Sequence, residues 1–447
     1  MAILNRQAMR ERTHVTQRDV IAEVSADAAE TESREGTVRM AITRTRSTRV
    51  QPTPILGNTS TWPIVLALIP LGAAITVFLR YSMNYLGVDF DVYYGVAKTL
   101  LAGSPLYDFA TVQQLPFTYP PVAAIAFAPL TLFPVAVVAA CWTFFSVLAM
   151  EVLIWLILGR IGTTSPTARS RWTVVATVLA LPLGPVGFNL WMVQINIFLM
   201  LVIWVDLFRC TGRFRGVGIG IAAGIKLIPL IFVLYLLFTR RFRQALTALA
   251  SFAGTVLVGF LLLPRDSVQF WFHTVAETDR ITLNGRILYF DTSLHGLLVR
   301  LNLSDLTVTY VVLGGVVGAL GLALSVWASR RGRELIGVMS CGITSLLVSP
   351  VSWVTHWMWI IPLLMMWAAR AWRGRLVAEM FGVVALWAGC VASCYWVALI
   401  MTESPVPEAM PQIFPHMYLA VGVGALIAFA LNLRRTARLE TLHSIHR

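Results

Sequence analysis

Charge is scarce in this sequence of 447 residues: Asp, Glu, Lys and Arg make up 13% of it and hydrophobic residues 57%. An ordinary soluble domain carries about 25% charged residues, so a soluble enzyme is excluded. Cysteine is scarce too. Its five copies (Cys141, Cys210, Cys341, Cys390, Cys394) lie in or beside apolar stretches, without the spacing of a disulfide scaffold or a metal site. Cys390 and Cys394 share a helix face, and packing is the simplest account of all five. His, Cys and Asp nowhere gather at metal-ligand spacing, so no metal and no cofactor is expected. The alternation of apolar and polar residues that a membrane β-barrel needs, in segments of roughly 10, is missing as well. What the chain does have is long apolar blocks, among them Trp62 to Leu79, Ala245 to Leu263, Val377 to Ile400 and Leu419 to Leu433. Each approaches the roughly 20 residues a helix needs to cross hydrocarbon. The fold class is therefore all-α, a polytopic membrane protein.

The net charge of +13 would point to nucleic acid in a soluble chain. Here the arginines fall in short clusters between apolar blocks: Arg169 and Arg171; Arg213 and Arg215; Arg240, Arg241 and Arg243; Arg330, Arg331 and Arg333; Arg370, Arg373 and Arg375; Arg434, Arg435 and Arg438. That is the bias of cytoplasmic loops, and no nucleic-acid partner is expected. With every cluster inside, Tyr81 to Tyr119, the turn Asn189 to Asn196, Pro264 to Asp305, the turn Ser349 to His356, and Thr402 to His416 fall outside. Gly216 to Phe238 has arginine on both flanks, so it enters and returns as two short helices turning near Lys226 to Pro229. The count is about twelve crossings with both termini inside. Pro121 to Leu158 is counted as one span; if Pro129 and Pro134 divided it into two crossings, the parity downstream would invert. Residues 1–60 mix charge with Ser, Thr and Ala, turn purely basic from Arg39 to Arg49, and read as a disordered cytoplasmic tail without a signal peptide. Residues 61–433 form the membrane domain, and 434–447 a short basic cytoplasmic tail.

The outer segments hold the candidates for chemistry. Gly87 to Tyr107 has an acidic start, an amphipathic helical stretch and a Gly-Ser-Pro stop, as a helix lying along the membrane surface does. Asp89 and Asp91 do not share a helix face. One is expected to cap the helix, which leaves the other as a carboxylate from which a general base can be built. Leu115-Pro-Phe-Thr-Tyr-Pro-Pro121 reads as a rigid entry into the next block. Lys226 sits in apolar sequence, where a mid-bilayer lysine costs roughly 2.5–3.5 kcal/mol; it either snorkels to the interface or meets an anion such as a phosphate. His356, beside Trp353 and Trp357, is either a histidine of an aromatic belt or a ligand contact. Arg280, Arg286 and Arg300 border an outer loop as solvated charges or phosphate contacts. Glu151 is assigned packing or pairing.

Taken in order, the motifs resemble a known family. Asp89-Phe-Asp-Val-Tyr93, Gly103-Ser-Pro-Leu-Tyr107 and Phe117-Thr-Tyr-Pro-Pro121 are similar to segments of glycosyltransferase family 87. The resemblance continues in Val193-Gln-Ile-Asn196, with Val where the family commonly has Gly. Ala223-Gly-Ile-Lys-Leu-Ile-Pro229 and Ser349-Pro-Val-Ser-Trp-Val-Thr-His356 extend it. Asp291-Thr-Ser-Leu-His-Gly296 departs from the family's Asn-Gln-Ser-Leu-x-Gly at its first two positions, whose role stays open. Arginine parity, found without the family, puts all these segments on one side of the membrane.

The resemblance implies a GT-C fold with an extracytoplasmic first loop that carries an interfacial helix. It implies a plasma-membrane enzyme with an extracytoplasmic active site. That enzyme transfers mannose from polyprenyl-phosphate-mannose, with inversion, to a glycolipid acceptor (phosphatidylinositol mannoside, lipomannan or lipoarabinomannan) in α-(1,2) linkage. It places Asp89 as general base, and His356, Lys226, Tyr119, Gln194, Asn196, Asp91, Tyr93 and Arg300 as donor-phosphate or substrate contacts, with capping the competing job for Asp91. No nucleotide-binding glycine loop is present, which disfavours a nucleotide-sugar donor. Arabinofuranosyl transfer from decaprenyl-phosphate-arabinose is the alternative within the class. A transporter or flippase for a lipid-linked sugar is the alternative outside it, although its site would lie at midplane and not on outer loops.

Overall fold

The computed structural model describes residues 63–82, 88–163, 165–281, 291–302, 306–401 and 410–445. The N-terminal tail, Arg286 and the loop 402–409 lie outside them. The described residues contain helices and no sheet, with one isolated antiparallel bridge between Ala110 and Pro116. Backbone in hydrocarbon must satisfy its own hydrogen bonds, and a helix does so within one segment.

The first helices are α1 (Pro63–Ser82) and α2 (Val88–Leu101). Helix α2 buries Phe90, Val92, Tyr93, Val96 and Ala97 and exposes Lys98. Both aspartates lie inside its first turn, after Val88, so neither precedes the helix as a cap. Next come α3 (Pro121–Phe127), with Pro121 at its first position, a 3-10 turn at Ala128–Leu132, and α4 (Val135–Arg160). Of the one or two crossings left open over Pro121 to Leu158, α4 alone has spanning length. Pro129 and Pro134 each lack an amide proton and disfavour helix at the residue before them, so α3 ends after two turns.

Helix α4 packs on α1, on α5 (Pro166–Ala180) and on α7 (Asn196–Phe208). Between the last two, α6 (Gly184–Trp191) bends by 78° from α5. The segment expected to enter and return holds two short helices, α8 (Val217–Ile225) and α9 (Ile231–Phe238), with a 3-10 turn at Ile228–Leu230 between them. The rest is α10 (Phe242–Leu262), α11 (Pro264–Phe272), α12 (Thr278–Ile281), α13 (Leu294–Arg300), α14 (Leu306–Arg330), α15 (Glu334–Val348), α16 (Ile360–Gly374), α17 (Val377–Met401) and α18 (Met410–Ile445). Helix α18 continues through the segment read as a C-terminal tail.

Among the described residues four helices are long and apolar enough to cross a membrane: Val135–Arg160, Phe242–Leu262, Val308–Arg330 and His416–Arg438. The bent pair makes a fifth, and several apolar helices are shorter. Leu246, Leu257 and Leu261 on α10 and Val308, Val311 and Leu320 on α14 are exposed, as side chains facing lipid are. This is an all-helical membrane protein.

One packing device positions the site. Glycine stands at 216, just before α8, and at 220 and 224 within it, where an added Cβ would meet Gln244 O at 2.3 Å, Ala248 O at 2.3 Å and Thr255 Oγ1 at 2.2 Å. Small residues every fourth position let two helices approach backbone to backbone, so α8 lies directly on α10. Asp206 fixes its start, accepting the amides of Gly216 at 2.6 Å and Ile219 at 2.9 Å. The end of α8, where Lys226 follows, is therefore held in place.

Candidate active site

Each site residue stands where a helix begins or breaks. Asp89 and Tyr93 are one turn apart on α2, and Tyr119 precedes the proline pair that opens α3. Gln194 and Asn196 come from the turn between α6 and α7. In that turn Val193 has φ +56°, a left-handed conformation that suits glycine and strains a β-branched residue by about 1–3 kcal/mol. The family's Gly at this position thus has a conformational reason, and Val193 keeps the turn at a cost. Lys226 is the extended residue after α8 (φ −147°, ψ 126°). His356 lies in a 3-10 turn, Val354–Trp359, that leads into α16.

These residues form one connected network. The Nε2 amide of Gln194 donates to Asp89 Oδ2. Gln194 Oε1 accepts from the Tyr93 hydroxyl at 2.9 Å and from Asn196 Nδ2 at 3.4 Å. Tyr93 and Tyr119 share a hydroxyl contact of 3.0 Å. Asn196 Oδ1 accepts from Lys226 Nζ at 2.9 Å, and Lys226 Nζ lies 2.8 Å from His356 Nε2. On the far side of the His356 ring, Nδ1 lies 3.2 Å from the Trp353 amide nitrogen. Because two donors meet Gln194 Oε1, that amide cannot turn over without losing both bonds, and its N–H stays aimed at Asp89. Cation and carboxylate are thus joined through two amides and do not touch.

Asp89 is half-buried, and desolvation raises its pKa above the usual carboxylate range; the Gln194 bond and the Lys226 charge oppose the shift. Asp91 rises to about 6 through desolvation, opposed by Arg80 and reinforced by Asp89. In both carboxyls the loss of water outweighs the attraction of nearby donors.

Asp89, Tyr93, Tyr119, Gln194, Lys226 and His356 line a cavity of about 1640 Å³. From this polar end it continues as an apolar groove between α9 (Ile231, Leu234, Phe238) and α14 (Gly315, Ala319, Leu322, Trp327), as far as Arg330. The α14 wall from Gly315 to Arg330 is about 22 Å long by helical rise.

Not every candidate reaches the cavity. Asp91 and Asn196 do not line it, and Asn196, buried behind Lys226, acts as a support. Arg280 does line it, held by the carbonyls of Tyr107 and, at 3.4 Å, Phe117. Arg300 does not, because its guanidinium donates to Asp291 O at 2.7 Å. Glu151 is buried in α4 with neither carboxyl oxygen hydrogen-bonded among the described residues, so of the packing or pairing assigned to it the structure shows packing. Sequence reasoning missed Asn189. Its Nδ2 donates to Pro185 O and Thr355 O, both at 2.6 Å, and its Oδ1 accepts from Asn196 at 3.1 Å. A lone Asn in the apolar run Gly187 to Met192 was the available signal.

Comparison with known proteins agrees with the motif reading. The model of "Glycosyltransferase family 87" matches residues 117–350. A Mycobacterium tuberculosis polyprenol-phosphate-mannose-dependent alpha-(1-2)-phosphatidylinositol mannoside mannosyltransferase is 33% identical over 344 residues, 72% of this chain and 80% of the relative. A Mycolicibacterium smegmatis polyprenol-phosphate-mannose-dependent alpha-(1-2)-phosphatidylinositol pentamannoside mannosyltransferase is 32% identical over 313 residues, 67% of this chain and 75% of the relative. No solved structure matches the chain.

Proposed function

The chain belongs to glycosyltransferase family 87, and on that premise we propose that it is a membrane mannosyltransferase. It takes mannose from polyprenyl-phosphate-mannose and forms an α-(1,2) linkage on a phosphatidylinositol mannoside or a lipoglycan built on one. The observation that carries this reading is the single cavity joining a separated carboxylate and cation to a long apolar groove. A lipid-linked sugar phosphate needs both parts. Its anionic head suits Lys226 and His356, and its prenyl tail suits the groove of α9 and α14. A nucleotide sugar would leave that groove without an occupant.

In the proposed reaction the acceptor hydroxyl attacks the anomeric carbon and passes its proton to Asp89. Gln194 holds Oδ2, leaving the other carboxyl oxygen for the proton. As the new C–O bond forms, the bond to phosphate breaks on the opposite face. The phosphate leaves with the electron pair, its charge met by Lys226 and His356. Inversion converts a β-linked donor into an α-mannoside. Lys226 supplies the positive charge at the departing phosphate, so the reaction needs no metal.

We assign about twelve crossings, with α2 along the extracytoplasmic surface and the active site on that side of the plasma membrane. In support, the polar site and Arg330, a member of one arginine cluster, stand at opposite ends of the cavity. Residues 1–60 are assigned to the cytoplasm on the same grounds.

Purified protein in chelator, given β-mannosyl polyprenyl phosphate and a phosphatidylinositol mannoside, should yield a product one hexose heavier that an α-(1,2)-specific mannosidase trims back. Transfer from nucleotide mannose without lipid donor would overturn the reading.

A further inference from the structure

Residues 291–292, where this chain departs from the family motif, lie outside the cavity yet hold the turn that carries His356. We propose that Thr292 is a positioning residue that staples this turn at both ends. At the near end the Thr292 amide and hydroxyl both donate to Ser352 O, at 2.7 and 2.5 Å. At the far end the indole Nε1 of Trp357 donates to Thr292 Oγ1 at 2.7 Å. A hydroxyl has one proton to give and lone pairs to receive, and here both are used. Asp291 completes the near end, its Oδ1 accepting the amides of Ser352 at 3.0 Å and Ser293 at 2.9 Å. Both backbone groups of Ser352 are therefore taken by residues 291–292, and all of these side chains are buried.

The turn needs such support. It is a short 3-10 segment, and Trp357 leaves helical geometry within it (ψ 30°). Short 3-10 turns have poor internal hydrogen bonds, so the orientation of the His356 ring toward Lys226 depends on contacts from outside the turn. Trp357 follows His356 directly, so a loosened indole moves the ring. Near the reacting atoms, a displacement of about 1 Å can cost 100-fold in rate.

The activity arm of the test rests on the proposed function; the exchange arm does not. Thr292→Val keeps the shape and removes the hydroxyl, and Thr292→Ser restores it. With lipid donor and saturating acceptor, Thr292→Val should lower kcat about 10- to 100-fold, and Thr292→Ser should stay close to wild type. In a His356→Ala background, Thr292→Val should cost nothing further, because residues acting as one unit are not additive. Independently of activity, hydrogen exchange of the peptide 350–358 in detergent should quicken in Thr292→Val and not in Thr292→Ser. Trp357→Phe, which removes the indole donor and leaves Thr292 intact, should loosen the same peptide and serves if Thr292→Val does not fold. An equal loss in both backgrounds, or unchanged exchange in the variants that fold, would overturn the staple. Wild-type protein that transfers nothing from lipid donor would instead sink the proposed function, and exchange would still decide the staple.

Discussion

Two charged clusters stand near opposite ends of the same cavity, and they are built differently. Near the groove end, Arg241 meets Glu334 through two parallel bonds of 2.5 Å, and Tyr235 and Ser329 each add a bond of 2.8 Å to the same carboxylate. That pair is closed: each charge is spent on the other, and the result is a tie between the start of α10 and the start of α15. At the polar end, Lys226 reaches Asp89 only through Asn196 and Gln194. There each charge is oriented and compensated at a distance, and each still faces the cavity. A direct ion pair would stabilise the fold more simply and leave nothing to offer a phosphate or a hydroxyl. The amide-spaced pair is what an active site requires, and the closed pair is what a scaffold requires.

The contrast predicts opposite consequences of removing charge. Asp89→Asn keeps size and loses basicity, so turnover should fall roughly 10²- to 10⁴-fold, measured with purified protein and lipid donor, while the melting temperature stays unchanged. Near-normal turnover in that variant would remove Asp89 as the base and end the contrast between the two clusters. Lys226→Gln should cost roughly 100-fold in kcat, as loss of a donor to a developing oxyanion does, again with little change in melting. Glu334→Gln should do the reverse, lowering stability by about 1–3 kcal/mol as charged hydrogen bonds are lost and leaving kcat nearly untouched.

The pH profile sharpens the comparison further. Asp89 must be ionised to take a proton, and burial raises its pKa. The rate should therefore fall with decreasing pH through a midpoint above the usual carboxylate value of about 4. Asp91 also titrates high, at about 6. Asp91→Asn should keep the acid limb and Asp89→Asn should lose it. Val193→Gly should have the smallest effect. It relieves left-handed strain of about 1–3 kcal/mol but gives up a buried side chain worth about 1.5–3 kcal/mol, so thermal melting should barely move.

Several features were legible in the sequence because they depend on near neighbours. Proline pairs marked the opening of α3, Lys226-Leu-Ile-Pro229 marked the break between α8 and α9, and the apolar blocks marked the long helices. Whether Pro121 to Leu158 held one span or two stayed open in the sequence because of its two prolines, and the structure places one helix of spanning length, α4, after them. Expecting an aspartate cap failed because the helix begins one residue before Asp89, so both carboxyls fall inside the first turn. Arg300 looked available as a loop cation, and a carbonyl nine residues away holds it.

By itself the sequence determined a helical membrane protein, its breaks and its family, since solvent preference and backbone conformation are settled within a few residues. The tertiary structure decided which carboxylate faces the cavity, which way the Gln194 amide points, and that Thr292 matters at all. Gln194 and Asp89 are 105 residues apart, and Lys226 and His356 are 130 apart. A hydrogen bond's direction is set by every donor and acceptor that converges on it, and in this site those groups come from helices far apart in the chain.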